Sequence, residues 1–154
     1  MQVAEAIHKY DKGSSLTVVP LYGGAPMDQQ IRALMRGASI VVATPGRALD
    51  HMRRETLDLS ALEVLVLDEA DEMLDLGFLP DIEKIMKMVP QSRQTLLFSA
   101  TMPTEVLKLT REFLHEPKLV QVGRRGGPAQ ARRALSVSGA APINRSPACN
   151  SLLL

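Results

Sequence analysis

The segment Leu67-Asp68-Glu69-Ala70-Asp71 constrains the fold of this chain more than any other feature. It directly follows the apolar run Val64-Leu65-Val66. An apolar run that ends abruptly in carboxylates is typical of a buried strand whose carboxyl end opens at a sheet edge, where open α/β sheets bind ligands. Two adjacent acids there offer the hard oxygen ligands that suit a nucleotide-bound magnesium ion. The alternative is that Asp68 caps the following helix, and the segment alone leaves both interpretations open.

The composition suits one globular domain, because 45% of the 154 residues are hydrophobic and the net charge is +1. A charge near zero argues against binding to nucleic acid by bulk electrostatics alone. No apolar stretch has membrane-spanning length and the N-terminal residues lack a signal-peptide pattern, so we expect no membrane partner. The single cysteine, Cys149, excludes an internal disulfide. The expected location is therefore the cytoplasm.

The C-terminal region differs in composition from the rest of the chain. From Arg124 onward there are five arginines and no acid, and Gly, Ala, Pro and Ser dominate. Hydrophobic periodicity is absent, which is typical of a disordered basic segment. The sequence therefore predicts a folded domain over residues 1–123 and a disordered tail over residues 124–154.

Short apolar runs alternate with helical patterns along the first 123 residues. The predicted strands are residues 16–21, 39–43, 64–67, 95–99 and 119–122. Helices are predicted up to residue 10 and over residues 27–35, 46–53, 79–88 and 104–114. Apolar strands separated by helices indicate an α/β fold with a parallel sheet flanked by helices on both sides.

Right-handed crossovers place every strand-to-helix loop of such a sheet at one edge. We therefore expect four loops to meet there: Gly23-Gly24, Thr44-Pro45-Gly46-Arg47, Asp68–Asp71 and Ser99-Ala100-Thr101. The loop at residues 44–47 ends a strand and begins a helix, so its free N–H groups, the helix dipole and Arg47 form a candidate anion site. The alternative is an ordinary helix capped by Thr44, with a solvated arginine.

The other two loops carry weaker signals. Gly23 and Gly24 leave a bare backbone that a sugar-phosphate chain can approach, or they form a plain turn. The hydroxyls of Ser99 and Thr101 can hydrogen-bond Asp71, or one of them caps the next helix.

The histidines have no ligand spacing between them. We expect His8, His51 and His115 to be exposed on helices.

Taken together and in this order, the four loops resemble the first core domain of DEAD-box ATP-dependent RNA helicases. The resemblance extends from Met1 to about Gly123 and is closest to the bacterial, cold-shock type. Flanking phrases agree with it: Val41-Val42-Ala43, Glu72-Met73-Leu74-Asp75-Leu76-Gly77-Phe78 and Gln94-Thr95-Leu96-Leu97-Phe98.

The resemblance implies a RecA-like fold of the P-loop NTPase type that pairs with a second RecA-like domain. ATP and Mg²⁺ would bind in the cleft between the two domains. Asp68 would hold the metal and Glu69 would activate the attacking water, which suits phosphoryl transfer to water. Asp71, Ser99 and Thr101 would complete the nucleotide site and link it to strand separation.

The same resemblance implies an RNA site across both domains. Its residues here would be Gly23, Gly24, Thr44, Pro45, Gly46 and Arg47. They would contact the RNA backbone, and such contacts carry no sequence information.

The chain also departs from the family pattern. It contains no Gly-Lys pair, so the phosphate-binding loop and its strand are missing, as is the second domain. We expect a gap beside the strand that ends at Ser99, marginal stability and negligible ATPase activity. A truncated fragment of a helicase, from a frameshift or an incomplete gene, is one interpretation. The alternatives are a non-catalytic RNA-phosphate-binding module and an interaction fragment that docks to an intact helicase in trans.

Overall fold

A computed structural model of the chain describes residues 2–11, 16–121, 133–136, 149 and 151–154; of residues 121 and 133–136 it describes the backbone. The helices are α1 Gln2–Tyr10, α2 Met27–Met35, α3 Pro45–Arg53, α4 Ala70–Asp75, α5 Leu79–Met88 and α6 Thr104–Phe113. The strands are β1 Val18–Leu21, β2 Ile40–Ala43, β3 Val64–Leu67, β4 Gln94–Ser99, β5 Lys118–Gln121, β6 Arg133–Ser136 and β7 Ser151–Leu153. Every predicted helix and strand is present, with ends shifted by at most two residues.

The strands form one seven-stranded sheet in the order β1-β2-β7-β3-β4-β6-β5. Strands β1, β2, β7, β3 and β4 are parallel to one another. Strand β6 runs antiparallel to both of its neighbours, β4 and β5. The predicted α/β fold with a parallel sheet and flanking helices is confirmed, with one antiparallel strand that the sequence did not indicate.

Strand β7 corrects the predicted disorder at the end of the segment 124–154, of which the structure describes residues 133–136, 149 and 151–154. It lies between β2 and β3, where Leu152 pairs with Val41 on one side and Leu65 on the other. Leu152 is fully buried and Leu154 is nearly so. The prediction failed there because Gly, Ala, Pro and Ser dominate the segment as a whole, whereas its last three residues are apolar enough to enter a core.

Strand β6 corrects the predicted gap in the sheet. Its residues 133–136 pair with Leu96–Ser99 of β4 and fill the place where a missing strand was expected. Backbone groups at an open strand edge need partners, and this segment of the chain supplies them. The remaining tail arginines, Arg124, Arg125, Arg132 and Arg145, lie outside the described residues.

The core lies between the sheet and the helices. Burial alternates along β3 and β4, as expected for strands whose two faces meet layers of different depth. The fully buried side chains at its centre are Leu21, Leu65, Leu67, Ile82, Ile85, Met86, Leu97, Leu109 and Leu152. Among the described residues, no helix has the length and apolar character needed to cross a membrane.

Candidate functional site

The acidic loop follows β3 at the carboxyl edge of the sheet. The Asp68 carboxylate accepts a hydrogen bond from the Glu69 N–H through Oδ1 at 3.0 Å. Glu69 occupies the N-cap position of α4, but its side chain makes no capping hydrogen bond. The cap position therefore belongs to Glu69 and not to Asp68, whose carboxylate bonds the N–H of the cap residue itself.

The backbone of Glu69 is left-handed, with φ of 52°. This conformation costs a non-glycine residue about 1–2 kcal/mol. The turn places the exposed Glu69 side chain beside Asp68 at the point where β3 ends.

Two cavities adjoin this pair of carboxylates. The larger has a volume of ≈ 210 Å³ and is lined by Asp68, Glu69, Thr44, Tyr22 and Leu154, among others. The smaller has a volume of ≈ 110 Å³, and Asp68 and Glu69 line it together with Asp71 and Ser99. Thr44, Asp68 and Ser99 therefore lie on one side of the molecule, at the edge where the crossover rule predicted them.

Asp71 anchors the loop after β4. The Thr101 hydroxyl donates to Asp71 Oδ2 at 2.7 Å, and the Thr101 N–H donates to the same oxygen at 2.8 Å. The Ala100 N–H donates to Asp71 Oδ1 at 3.3 Å. The predicted hydrogen bond between Asp71 and the Thr101 hydroxyl is thus present, and the interpretation of Thr101 as a helix cap is wrong, because α6 has Pro103 at its N-cap without a side-chain bond.

The Ser99 hydroxyl also bonds Asp71, as predicted. It accepts from the backbone N–H of Asp71 at 3.2 Å and donates to the Thr101 carbonyl oxygen at 2.6 Å. Ser99 therefore braces the backbone on either side of the carboxylate, and its hydroxyl helps to lower the pKa of Asp71.

The pKa of Asp71 reflects this environment. Burial acts most strongly and raises the pKa, but the hydrogen bonds, led by that of the Thr101 hydroxyl, together lower it to about 2. Hydrogen bonds to a carboxylate stabilise its charged form, so Asp71 is ionised at neutral and mildly acidic pH.

The loop after β2 begins α3. Thr44 lies at the N-cap and Pro45 at the first helical position, as predicted, but the Thr44 side chain makes no capping hydrogen bond and is exposed. Thr44 lines the larger cavity, and the first N–H groups of α3 have no side-chain cap from Thr44. Helix α3 has nine residues, and its N-terminus carries the positive end of the dipole.

Arg47 is not the solvated side chain of the alternative interpretation. Its Nη1 donates to the Ala25 carbonyl oxygen at 3.2 Å and to Gln30 Oε1 at 3.2 Å. The guanidinium therefore joins the loop after β2 to the loop after β1. Gly24 in that second loop has φ of +83°, and a Cβ at Gly23 or Gly24 would meet no atom within 4 Å, so both glycines present open backbone.

Two residues of this site were missed by the sequence analysis. His51 was expected to be exposed, but it is fully buried and bonds Gln30 and Thr56 through its two ring nitrogens. Gln30 is also buried. The helical spacing carried a signal of burial for each. His51 lies four residues after Arg47, on the same face of α3. Gln30 lies four residues before Leu34, which packs against the core from the same face of α2.

The donor set fits Mg²⁺ in part. Among the described residues there is no group of three or more His, Cys, Asp and Glu side chains placed to hold a metal. Two adjacent carboxylates are nevertheless the usual protein share for Mg²⁺, which keeps waters and phosphate oxygens as its other ligands. The larger cavity, at ≈ 210 Å³, is below the range of about 300–1,000 Å³ that is typical of small-molecule sites, so it suits a metal and phosphate groups rather than a whole nucleotide.

Comparison with known proteins decides the family. The family model described as DEAD/DEAH box helicase matches residues 1–109. The chain belongs to the DEAD/DEAH box helicase family. The resemblance stated from the four loops is therefore confirmed, and the bacterial cold-shock type fits the relatives described next.

Those relatives are bacterial proteins. The chain is 54% identical over 123 residues to the ATP-dependent RNA helicase DeaD of Klebsiella pneumoniae, which covers 79% of this chain and 19% of the relative. It is 50% identical over 122 residues to the ATP-dependent RNA helicase CshA of Listeria monocytogenes, covering 79% of this chain and 24% of the relative. The chain thus spans about a fifth to a quarter of the length of these proteins.

Solved structures support the RecA-like assignment. A DEAD box protein from Methanococcus jannaschii superposes with a TM-score of 0.69 at 41% identity, covering 75% of this chain and 32% of that one. A hypothetical ATP-dependent RNA helicase from Sulfolobus tokodaii gives a TM-score of 0.70 at 41% identity, covering 75% of this chain and 34% of that one. The DEAD-box, RecA-like character of the fold follows from these matches.

Proposed function

We propose that this chain forms part of the first core domain of an ATP-dependent RNA helicase, in which ATP hydrolysis is coupled to RNA unwinding. The observation that carries the proposal is the position of Asp68 and Glu69, which line both cavities at the carboxyl edge of the sheet. One cavity reaches Thr44 on the RNA side, and the other reaches Asp71 and Ser99. The carboxylates thus lie between the two groups of residues that coupling must connect.

Within this proposal Asp68 is the metal ligand and Glu69 orients and deprotonates the attacking water. Asp68 is half-buried and accepts the Glu69 N–H, which holds its carboxylate still. Glu69 is exposed and extends into solvent, where a water molecule can reach it. Mg²⁺, when bound, would neutralise phosphate charge.

Asp71, Ser99 and Thr101 are proposed to transmit the state of this site to the RNA side. Their hydrogen bonds join the start of α4 to the loop after β4, so a shift of one must move the other. The RNA surface is proposed to consist of Gly23, Gly24, Thr44, Pro45, Gly46 and Arg47, which would contact phosphates rather than bases.

The chain alone is proposed to hydrolyse ATP negligibly. Its 154 residues contain no Gly-Lys pair, so they lack the loop amides and lysine that bind the β and γ phosphates. Hydrolysis would need those groups and a second helicase domain, supplied by an intact helicase in trans. A cytoplasmic location belongs to the same proposal.

A thermal melt with and without Mg²⁺-ATP tests the nucleotide part. A ligand that binds only the folded state raises Tm, so we expect no resolved shift for this chain at millimolar Mg²⁺-ATP. RNA-dependent ATP hydrolysis at rates of about 1 s⁻¹ or more by the purified chain would contradict the proposed inactivity. Asp68→Asn is the matched variant, because it removes the metal ligand while keeping the size of the side chain.

The larger cavity, at ≈ 210 Å³, is small for a whole nucleotide. This favours a second candidate, a non-catalytic module that binds the RNA backbone. Binding of this kind is independent of sequence and weakens steeply with salt. A salt series of RNA binding by the full chain and by a variant with Arg124, Arg125, Arg132 and Arg145 changed to Gln, which keeps β6 and β7, separates the contribution of the tail arginines from that of the loops. A salt slope of zero in both forms would remove this candidate.

A further inference from the structure

A buried polar network joins α2 and α3 behind the proposed RNA loops. Gln30 and His51 are both buried, and His51 Nε2 lies 3.0 Å from Gln30 Oε1. Buried polar side chains are expensive unless their hydrogen bonds are satisfied. Their presence between two helices that border an apolar core therefore needs a structural explanation.

The proton on each atom follows from the partners. The Gln30 side-chain nitrogen donates to the Tyr22 carbonyl oxygen at 3.0 Å, so Oε1 is the atom that faces His51 and Arg47. The opposite amide orientation would set an NH₂ group against the Arg47 guanidinium, which only donates. Because Oε1 only accepts, His51 Nε2 carries a proton.

The other ring nitrogen completes the network. The Thr56 hydroxyl has two acceptors within reach, His51 Nδ1 at 2.8 Å and the His51 carbonyl oxygen at 3.1 Å. When the imidazole is neutral and Nε2 carries its proton, the single hydroxyl proton goes to Nδ1, the shorter contact. Burial, followed by the charge of Arg47, lowers the pKa of His51, which keeps the imidazole neutral near pH 7. The tautomer with the proton on Nε2 is thus selected by its two neighbours.

The network ends on both sides of the glycine pair. Gln30 holds the Tyr22 carbonyl oxygen, and Arg47 Nη1 holds the Ala25 carbonyl oxygen at 3.2 Å. Gly23 and Gly24 lie between these two anchors. The three hydrogen bonds described for Arg47 are all donated by Nη1. The N–H groups on Nη2 and Nε of this half-exposed side chain are therefore available to a ligand.

We propose that Gln30, oriented from behind by His51, is a positioning residue that holds the Gly23–Gly24 turn in register with the anion loop at Thr44–Arg47. This inference rests on the proposed RNA function for its purpose, but not for its geometry. Arg47 then has two tasks: one edge of its guanidinium fixes the turn, and the other binds a phosphate. Neither glycine has an atom within 4 Å of its would-be Cβ, so side-chain packing at these two positions does not hold the turn.

The test compares Gln30→Met with Gln29→Met in the full chain. Gln30→Met keeps the length of the side chain and removes its bonds to Tyr22, His51 and Arg47. Gln29 is the neighbouring exposed glutamine, so its variant controls for the loss of an amide on α2. NMR order parameters of the Gly24 and Ala25 amides report the rigidity of the turn, and anisotropy of a labelled single-stranded RNA reports binding.

We expect Gln30→Met to lower the order parameters of Gly24 and Ala25 and to weaken RNA binding by about fivefold, the factor for one ordinary hydrogen bond. Gln29→Met should change neither. Unchanged order parameters in Gln30→Met would overturn the positioning role. Lower order parameters in Gln30→Met, together with a wild-type chain that does not bind RNA, would support the role of Gln30 while overturning the proposed function.

A second variant guards against loss of folding. Gln30→Glu keeps oxygen acceptors for His51 and Arg47 but loses the donor to the Tyr22 carbonyl oxygen. We expect it to fold and to show a lower order parameter at Gly24 than the wild type. A wild-type order parameter at Gly24 in Gln30→Glu would overturn the assignment of Gln30 as the anchor of the turn.

Discussion

Thr101 donates two hydrogen bonds to Asp71 Oδ2, one from its hydroxyl at 2.7 Å and one from its N–H at 2.8 Å. These two bonds tie the loop after β4 to the first turn of α4, 30 residues earlier in the chain. The link restrains the proposed nucleotide site, and its hydrogen bonds help to lower the pKa of Asp71 to about 2.

The stability of the chain should depend on pH through Asp71. Its pKa is about 2 in the folded chain and near 3.9 when unfolded, so its contribution is complete above about pH 5 and is lost as pH falls through 2. The shift corresponds to about 2.6 kcal/mol of unfolding free energy. Urea unfolding of Asp71→Asn should lack this part of the acid dependence. Asp75→Asn, an exposed change on the same helix, should retain it.

Because the backbone of Glu69 is left-handed, glycine should be more stable than alanine at this position, the reverse of the usual order in a helix. Glu69→Gly should be more stable than Glu69→Ala by about 1 kcal/mol, because alanine pays the steric cost at φ of 52° and glycine does not. Glu72, inside α4, is the control: Glu72→Ala should be more stable than Glu72→Gly by about 1 kcal/mol. Chemical denaturation of the four variants measures both differences. The same order at both positions would contradict the backbone assignment.

The two glycines of the turn should differ in their tolerance of a side chain. Gly24→Ala should cost about 1–2 kcal/mol, because Gly24 has φ of +83°. Gly23→Ala should be nearly neutral or stabilising, since Gly23 has ordinary φ and open space around it. Thermal melts compare the two variants directly. Equal losses would mean that the turn does not hold the conformation described.

Strand β7 should be required for the stability of the sheet. Leu152→Ala should lower the unfolding free energy by about 2–5 kcal/mol, because Leu152 is fully buried between two strands. Leu76, which is 71% exposed, provides the control, and Leu76→Ala should change stability by less than about 0.5 kcal/mol.

The single cysteine gives an independent readout of the same strand. Cys149 is buried, and burial raises the pKa of its thiol to about 11, so thiolate is scarce in the folded chain. Thiol labelling should therefore be slow in the wild type and in Leu76→Ala, and faster in Leu152→Ala. Labelling of the wild type at the rate of a free thiol would show that β7 is not docked.

Local patterns predicted the helices and most of the strands well. The apolar run of β3 and the amphipathic spacing of α5 are properties of neighbouring residues, and both elements have the predicted bounds. The meeting of Thr44, Asp68 and Ser99 at one edge followed from crossover handedness, which needs no knowledge of side-chain contacts. What failed was the tail, because composition averaged over 31 residues conceals three apolar ones at its end.

The sequence by itself determined the alternation of elements, the edge at which the acidic loop lies and the family to which its motifs belong. Only the tertiary structure decided that His51 is buried, that Arg47 bonds within the protein, and that β7 completes the sheet. The physical reason is sequence separation. His51 meets Gln30 across 21 residues, and β7 pairs with strands more than 80 residues earlier in the chain. Such contacts leave no periodic trace, since their energy depends on which surfaces the whole fold brings together.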